Sequence, residues 1–162
     1  MSIEFYNYLI KLKEHERRRK LSNSLAISIN EFKERWEQFS DKFKFPHREL
    51  LINTESNFFQ MILLGNKHIA FLGDTIKCFN ENIIKNITMI ATGDGSLESG
   101  TKILIAIGIL IGCLNPNDTV EFRKSVLHDL GVFDIKEKMN NTIVKNNYKY
   151  KLVFTKETGI WI

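Results

Sequence analysis

Twelve consecutive apolar residues, Ile103 to Leu114 within the stretch KILIAIGILIGCLNPND, constrain this chain more than any other feature. A run of that kind must be hidden from water, either in a membrane or in the centre of a folded core. Length separates the two. As a helix the run spans about 18 Å at 1.5 Å per residue, well short of the roughly 30 Å hydrocarbon core of a bilayer. Lys102 closes one end and Asn115-Pro116-Asn117-Asp118 the other. The run therefore reads as a buried core helix and not as a membrane span. A strand competes, because isoleucine is abundant and a wholly apolar run carries no periodicity; its length and two flanking breaks favour the helix. Gly108 and Gly112, four apart, share one helix face. In lipid that spacing marks helix dimers; in a folded core it marks tight packing against a neighbour.

The rest of the chain supplies material for such a core. Of its 162 residues 43% are hydrophobic, 26% are charged and twelve are phenylalanine, and a chain of that length buries about 70% of its unfolded surface. Only two prolines occur and no Ser/Gly-rich or Pro-rich linker divides the sequence, so one globular domain over residues 1–162 is expected. The first twenty residues place charges after apolar positions, unlike a signal peptide. Cys78 and Cys113 are too few for a disulfide framework and read as reduced thiols of a cytoplasmic protein.

Periodicity and capping signals predict a mainly helical body. Residues 3–20 read as an amphipathic helix with Phe5, Tyr8 or Leu9, and Leu12 on its apolar side. Ser28-Ile29-Asn30-Glu31 is a capping box, with Ile27 and Phe32 at the staple positions. Ile29, Phe32, Trp36, Phe39 and Phe43 then repeat at helical spacing. A further helix is predicted over about 55–64, ended by Gly65, and another after Asp74 through Ile76, Phe79, Ile83 and Ile84. Between them His68–Leu72 is short enough for a strand. Residues 91–100 form a loop into the apolar helix, and Asp118 is expected to cap a last helix that stops at Gly131. The tail changes character: β-branched and aromatic residues flank Asn146-Asn147, a hairpin signal. Thr155–Gly159 follows as a second turn before Ile160-Trp161-Ile162. The expected fold class is α+β: a mainly helical single domain with a small C-terminal antiparallel β-sheet.

Tests for chemistry come back negative. His15, His47, His68 and His128 pair with no other ligand at metal spacing, and no HExxH or CxxC occurs. The TGDGSLE loop, residues 92–98, places Asp94 and Glu98 near a helix start, but lacks the oxygen ligands a calcium loop needs. No phosphate-cradling Gly-Lys-Ser/Thr, no Gly-x-Ser-x-Gly elbow and no cysteine-protease signature is present. The chain is expected to be no enzyme and to need no cofactor and no metal.

Charge leaves surface recognition as the remaining class. The net charge is +4, and residues 11–20 carry six Lys/Arg against two Glu. Residues 136–157 again carry six lysines against two glutamates, whereas 54–118 holds four lysines against six acids. Arg17, Arg18, Arg19 and Lys20 suit the negative end of a helix dipole, and equally suit phosphates or an acidic protein surface. Tyr148-Lys149-Tyr150-Lys151 alternates aromatic and basic residues, as a single-strand nucleic-acid platform does; core tyrosines with solvated lysines give the same alternation.

Three stretches carry a resemblance: the helical start SIEFYNYLIKLKEHERRRK, the glycine-bearing IGILIGCLNPND and the closing YKYKLVFTKETGIWI. Together they resemble bacterial immunity proteins of contact-dependent growth inhibition and related polymorphic toxin systems. The likeness runs over much of the chain without a diagnostic motif and carries no residue roles with it. It implies a cytoplasmic, toxin-neutralising protein that binds a cognate toxin domain and blocks its activity. A basic chain then implies an acidic partner, or docking through the acid-bearing 54–118 segment. The residues expected to contact the partner are Arg17, Arg18, Arg19, Lys20, Asp94 and Glu98. The alternative is a basic nucleic-acid-binding accessory protein using the same cluster.

Overall fold

The computed structural model describes residues 3–162, apart from the side chains of Glu4, Phe5 and Lys20. Its elements run α1 (Ile3–Leu21), α2 (Ile29–Lys42), β1 (Leu50–Glu55), β2 (Phe58–Leu63), β3 (Ile69–Cys78), β4 (Glu81–Ile84) and β5 (Thr88–Ala91). Then follow α3 (Leu97–Leu114), α4 (Val120–Leu130), β6 (Lys138–Lys145), β7 (Tyr148–Thr155) and β8 (Gly159–Trp161). The eight strands form one antiparallel sheet in the order β1-β2-β3-β5-β8-β7-β6, with β4 paired to β3 beyond β5.

The chain is α+β, but it is not mainly helical, and its sheet is neither small nor C-terminal. Five of the eight strands precede the apolar helix. The helix predicted over 55–64 is the β1–β2 hairpin. Phe58, Phe59, Ile62 and Leu63 have helical spacing, yet Phe59, Met61 and Leu63 point into the core while Phe58 and Ile62 face outward. A strand with apolar residues on both faces loses the alternation that identifies it. The helix predicted after Asp74 is the β3–β4 hairpin, turning at Phe79, whose φ is +56°. Cys78 is thus a buried residue of β3. Gly65 has the positive φ a helix cap would need, +75°, but uses it after a strand.

Capping signals fared better because they are local. Ser28 Oγ accepts from the Glu31 amide at 3.2 Å, while the Glu31 carboxylate turns to Arg35. Thr119, not Asp118, caps α4 by accepting from Phe122 N at 3.1 Å. Gly131, at φ +77°, ends that helix. Asn146 and Asn147, at φ +48° and +65°, make the tight turn between β6 and β7, the arrangement a two-residue hairpin of matching twist requires.

The predicted apolar helix, α3, lies in the core, with Ile103, Ala106, Ile107, Ile109, Leu110, Ile111, Cys113 and Leu114 all buried. It is also long and apolar enough to cross a membrane by length and composition. α2 packs against it, and at their crossing Phe39 lies where a Gly112 side chain would be, 3.0 Å from the position of a Cβ. Gly108, by contrast, faces open space, so only one of the two glycines serves a close approach. Arg35 ties the pair together by donating to the Cys113 carbonyl at 2.7 Å. Trp36 packs edge-on against Phe71 of β3, ring centres 4.9 Å apart, and joins α2 to the sheet.

Candidate partner-binding site

The expected contact residues fall into two groups that the fold keeps apart. Arg17, Arg18 and Arg19 are exposed on the last turns of α1; the Lys20 side chain lies outside the described residues. Tyr8 and Leu12, expected on the inward face of this helix, are 59% and 46% exposed, and among its described side chains only Leu9 and Leu21 are partly covered. Phe5, the other residue expected there, has its side chain outside the described residues. α1 thus presents Ile3, Tyr6, Tyr8, Ile10 and Leu12 to solvent beside its arginines.

Asp94 and Glu98 line a different cleft of about 470 Å³ at the start of α3, together with His47, His68 and Lys102. Both acids are engaged locally. Asp94 accepts from the Ser96 amide at 2.9 Å, and hydrogen bonding from Ser96, hydroxyl first and then amide, holds its carboxyl below the usual range. Glu98 pairs with Lys102 at 2.7 Å. Ser96 caps α3 by accepting from Ser99 N at 3.1 Å. Among the described residues no three His, Cys, Asp or Glu side chains gather as a metal site.

A third feature is larger and mostly apolar: an opening of about 550 Å³ in the sheet beside β7. β8 pairs with Val153–Thr155 of β7 and, on its other side, with Ile90 and Ala91 of β5. Beyond it the strands part, and the underside of α3 (Leu110, Ile111 and Leu114) forms the floor. One wall is Tyr148 and Tyr150, whose rings meet edge to face at 6.3 Å. The other is Lys85–Thr88, where β4 gives way to β5. That break is fixed by Asn86, whose side chain accepts from Asp74 N at 3.1 Å and donates to its carboxylate at 2.9 Å. Gly73 is needed opposite it: a Cβ there would lie 2.1 Å from the Asn86 carbonyl oxygen.

Both tyrosines are anchored. Tyr148 donates to the Leu25 carbonyl at 3.2 Å, and the Tyr150 hydroxyl accepts from the Asn115 amide at 2.7 Å. Burial pushes the Tyr150 phenol up to about 12, against the Asn115 hydrogen bond, and raises Tyr148 as well. Among the described residues the charged side chains lining the opening are Lys85, Lys149 and Lys151. The alternating Tyr-Lys sequence marks one wall in advance. The floor and the far wall have no local signal, since they depend on how α3 and the β4–β5 break pack against β7.

No protein-family model, no curated protein and no solved structure matches this chain.

Proposed function

We propose that this protein is a toxin-neutralising immunity protein: a cytoplasmic, non-enzymatic binder that engages a cognate toxin domain and blocks its activity. The observation that supports this reading is α1, a helix of 19 residues that exposes Ile3, Tyr6, Tyr8, Ile10 and Leu12 beside Arg17, Arg18 and Arg19. Ile3, Tyr6 and Ile10 share one face of the helix and Tyr8 and Leu12 another, and exposed apolar side chains on both make α1 a candidate interaction element. Tyrosine and arginine are the residue types most enriched where proteins bind one another. The arginines give the encounter its charge preference and select an acidic face. The second reading, a nucleic-acid-binding accessory protein, is favoured by the same exposed arginines taken alone.

A tagged pull-down from the native cell at moderate salt tests both. A stoichiometric protein partner with a protein-like 260/280 nm ratio is expected. Co-eluting RNA or DNA that salt removes, with no fixed protein partner, would move the assignment to the second reading. Changing Arg17, Arg18 and Arg19 together to Glu is expected to weaken association with the captured partner about tenfold or more at low salt. Unchanged association would remove the arginines from the mechanism.

A further inference from the structure

The sheet face turned away from α2, α3 and α4 carries an apolar row. Followed strand by strand through the pairing register, Leu51 of β1 stands beside Ile62 of β2, Ala70 of β3, Ile90 of β5, Trp161 of β8 and Val153 of β7. Their chain neighbours Leu50, Met61, Phe71, Met89, Ile160 and Leu152 are buried on the helix side. By alternation these six side chains therefore share the outer face. The row crosses five strand spacings, about 24 Å at roughly 4.8 Å each. Within it Leu51, Ile62 and Trp161 are 51%, 44% and 39% exposed. A sheet face in contact with water alternates polar residues outward, and exposed apolar side chains in a continuous row mark a docking surface.

Charge says what docks there. Outward positions toward the β1 edge carry Glu49, Glu55 and Asp74, all exposed. Those toward the β6 edge carry Lys138, Lys149 and Lys151, also exposed. Lys85, whose amide donates to the Asp74 carbonyl at 2.8 Å, adds one positive group near the middle. The face is thus acidic at one end of its apolar row and basic at the other. A nucleic acid or a uniformly acidic protein would match only the lysine end. A second copy of this chain, turned by a half-rotation about an axis along β5, matches both.

We propose that this face is the interface of a two-fold symmetric homodimer, two sheets packed face to face with their apolar rows superposed. β5 is the middle strand of the sheet path, so an axis along it sets β3 over β8, β2 over β7 and β1 over β6 of the other copy. Trp161 then covers Ala70, a large side chain over a small one, while Ile62 meets Val153 and Ile90 meets its own counterpart. The indole N–H is spent on the Thr158 carbonyl at 3.1 Å, which leaves the ring for packing. Glu49 faces Lys138, and Lys149 lies over Phe58, between Glu55 and Asp74. Sheets stacked in this way sit about 10 Å apart with strands inclined by about 30°. The interface uses no residue of α1 and does not depend on the immunity reading.

Sedimentation equilibrium of the full chain from micromolar to millimolar concentration tests the proposal, with acrylamide quenching of tryptophan read alongside. A concentration-dependent dimer is expected. Quenching should fall as it forms, because Trp161 is exposed in one copy whereas Trp36 is already buried. Ile62→Lys, at an exposed position, is expected to weaken the dimer at least tenfold. Glu49→Lys and Lys138→Glu are each expected to weaken it at least threefold, and the double variant E49K/K138E to restore it. Within one copy these two residues stand on opposite edges of the sheet, six spacings or roughly 29 Å apart, so restoration acts between copies. A chain that stays monomeric at millimolar concentration, a dimer unchanged by Ile62→Lys, or a double variant no better than the single ones would each overturn the proposal. So would a dimer in which Trp161 is quenched as readily as in the monomer.

Discussion

Tyr150 shows how one buried polar group is made tolerable and what that implies for pH. Its hydroxyl accepts from Asn115 Nδ2 at 2.7 Å, and the same amide nitrogen donates to the Ile111 carbonyl at 3.1 Å. Removing the hydroxyl in Tyr150→Phe leaves Asn115 one partner and is expected to cost about 1 kcal/mol at neutral pH, read by urea unfolding. The phenol ionises near 12 in the fold against an ordinary value of 10. The neutral form is the one the fold favours, so between about pH 10 and 12 the unfolded chain loses this proton first and stability falls. Phenylalanine has no such proton. The deficit of the variant should therefore shrink as pH rises through that window, and a constant deficit would mean the phenol is not shielded. Ser40 is a contrasting case. Its hydroxyl is buried with no hydrogen-bond partner among the described residues, so Ser40→Ala is expected to be neutral or to stabilise by up to about 1 kcal/mol.

At the scale of elements, α3 separates what a glycine does from where it stands. Gly108→Ala adds a methyl group into open space and is expected to stabilise the helix by up to about 1 kcal/mol. Gly112→Val drives a branched side chain into the Phe39 ring and is expected to cost about 1–3 kcal/mol. Thermal unfolding of the two variants checks the contrast, and equal shifts would contradict the α2–α3 crossing. The sequence marks this helix as buried and gives both glycines the same face, but which of them meets α2 depends on a tertiary crossing. The same divide runs through the other elements. Ser28, Gly131 and Asn146-Asn147 act through their own neighbours and were legible. Phe58 and Ile62 were misleading because outward-facing apolar residues made a strand look like a helix. Arg17–Arg19 and Asp94/Glu98 were identifiable as exposed charge, but nothing in the chain order says that α1 and the start of α3 line separate surfaces.

Across the whole molecule, the sheet depends on its shortest C-terminal piece. β1, β2, β3 and β5 form one continuous part, β6 and β7 another, and β8 alone pairs with both. Ile160 is its buried residue, set against Ala91 on one side and Phe154 on the other. Placing a carboxylate there in Ile160→Asp is expected to cost about 3 kcal/mol or more. Hydrogen exchange should then rise at Ala91 and Val153, whose amides face β8, before it rises within β2–β3, where pairing is independent of β8. Uniform loss of protection would instead mean that the sheet opens as one unit.

That dependence has a consequence in time. The ribosome delivers β5 long before β8, because Ile90 must wait for Trp161. During synthesis the early strands can pair among themselves, and α3 can emerge and coil, but the seam between the two parts stays open until residues 159–161 are free. Contacts so distant in sequence close slowly. Until they do, the nascent chain carries two bare strand edges, and whatever binds those edges first competes with β8.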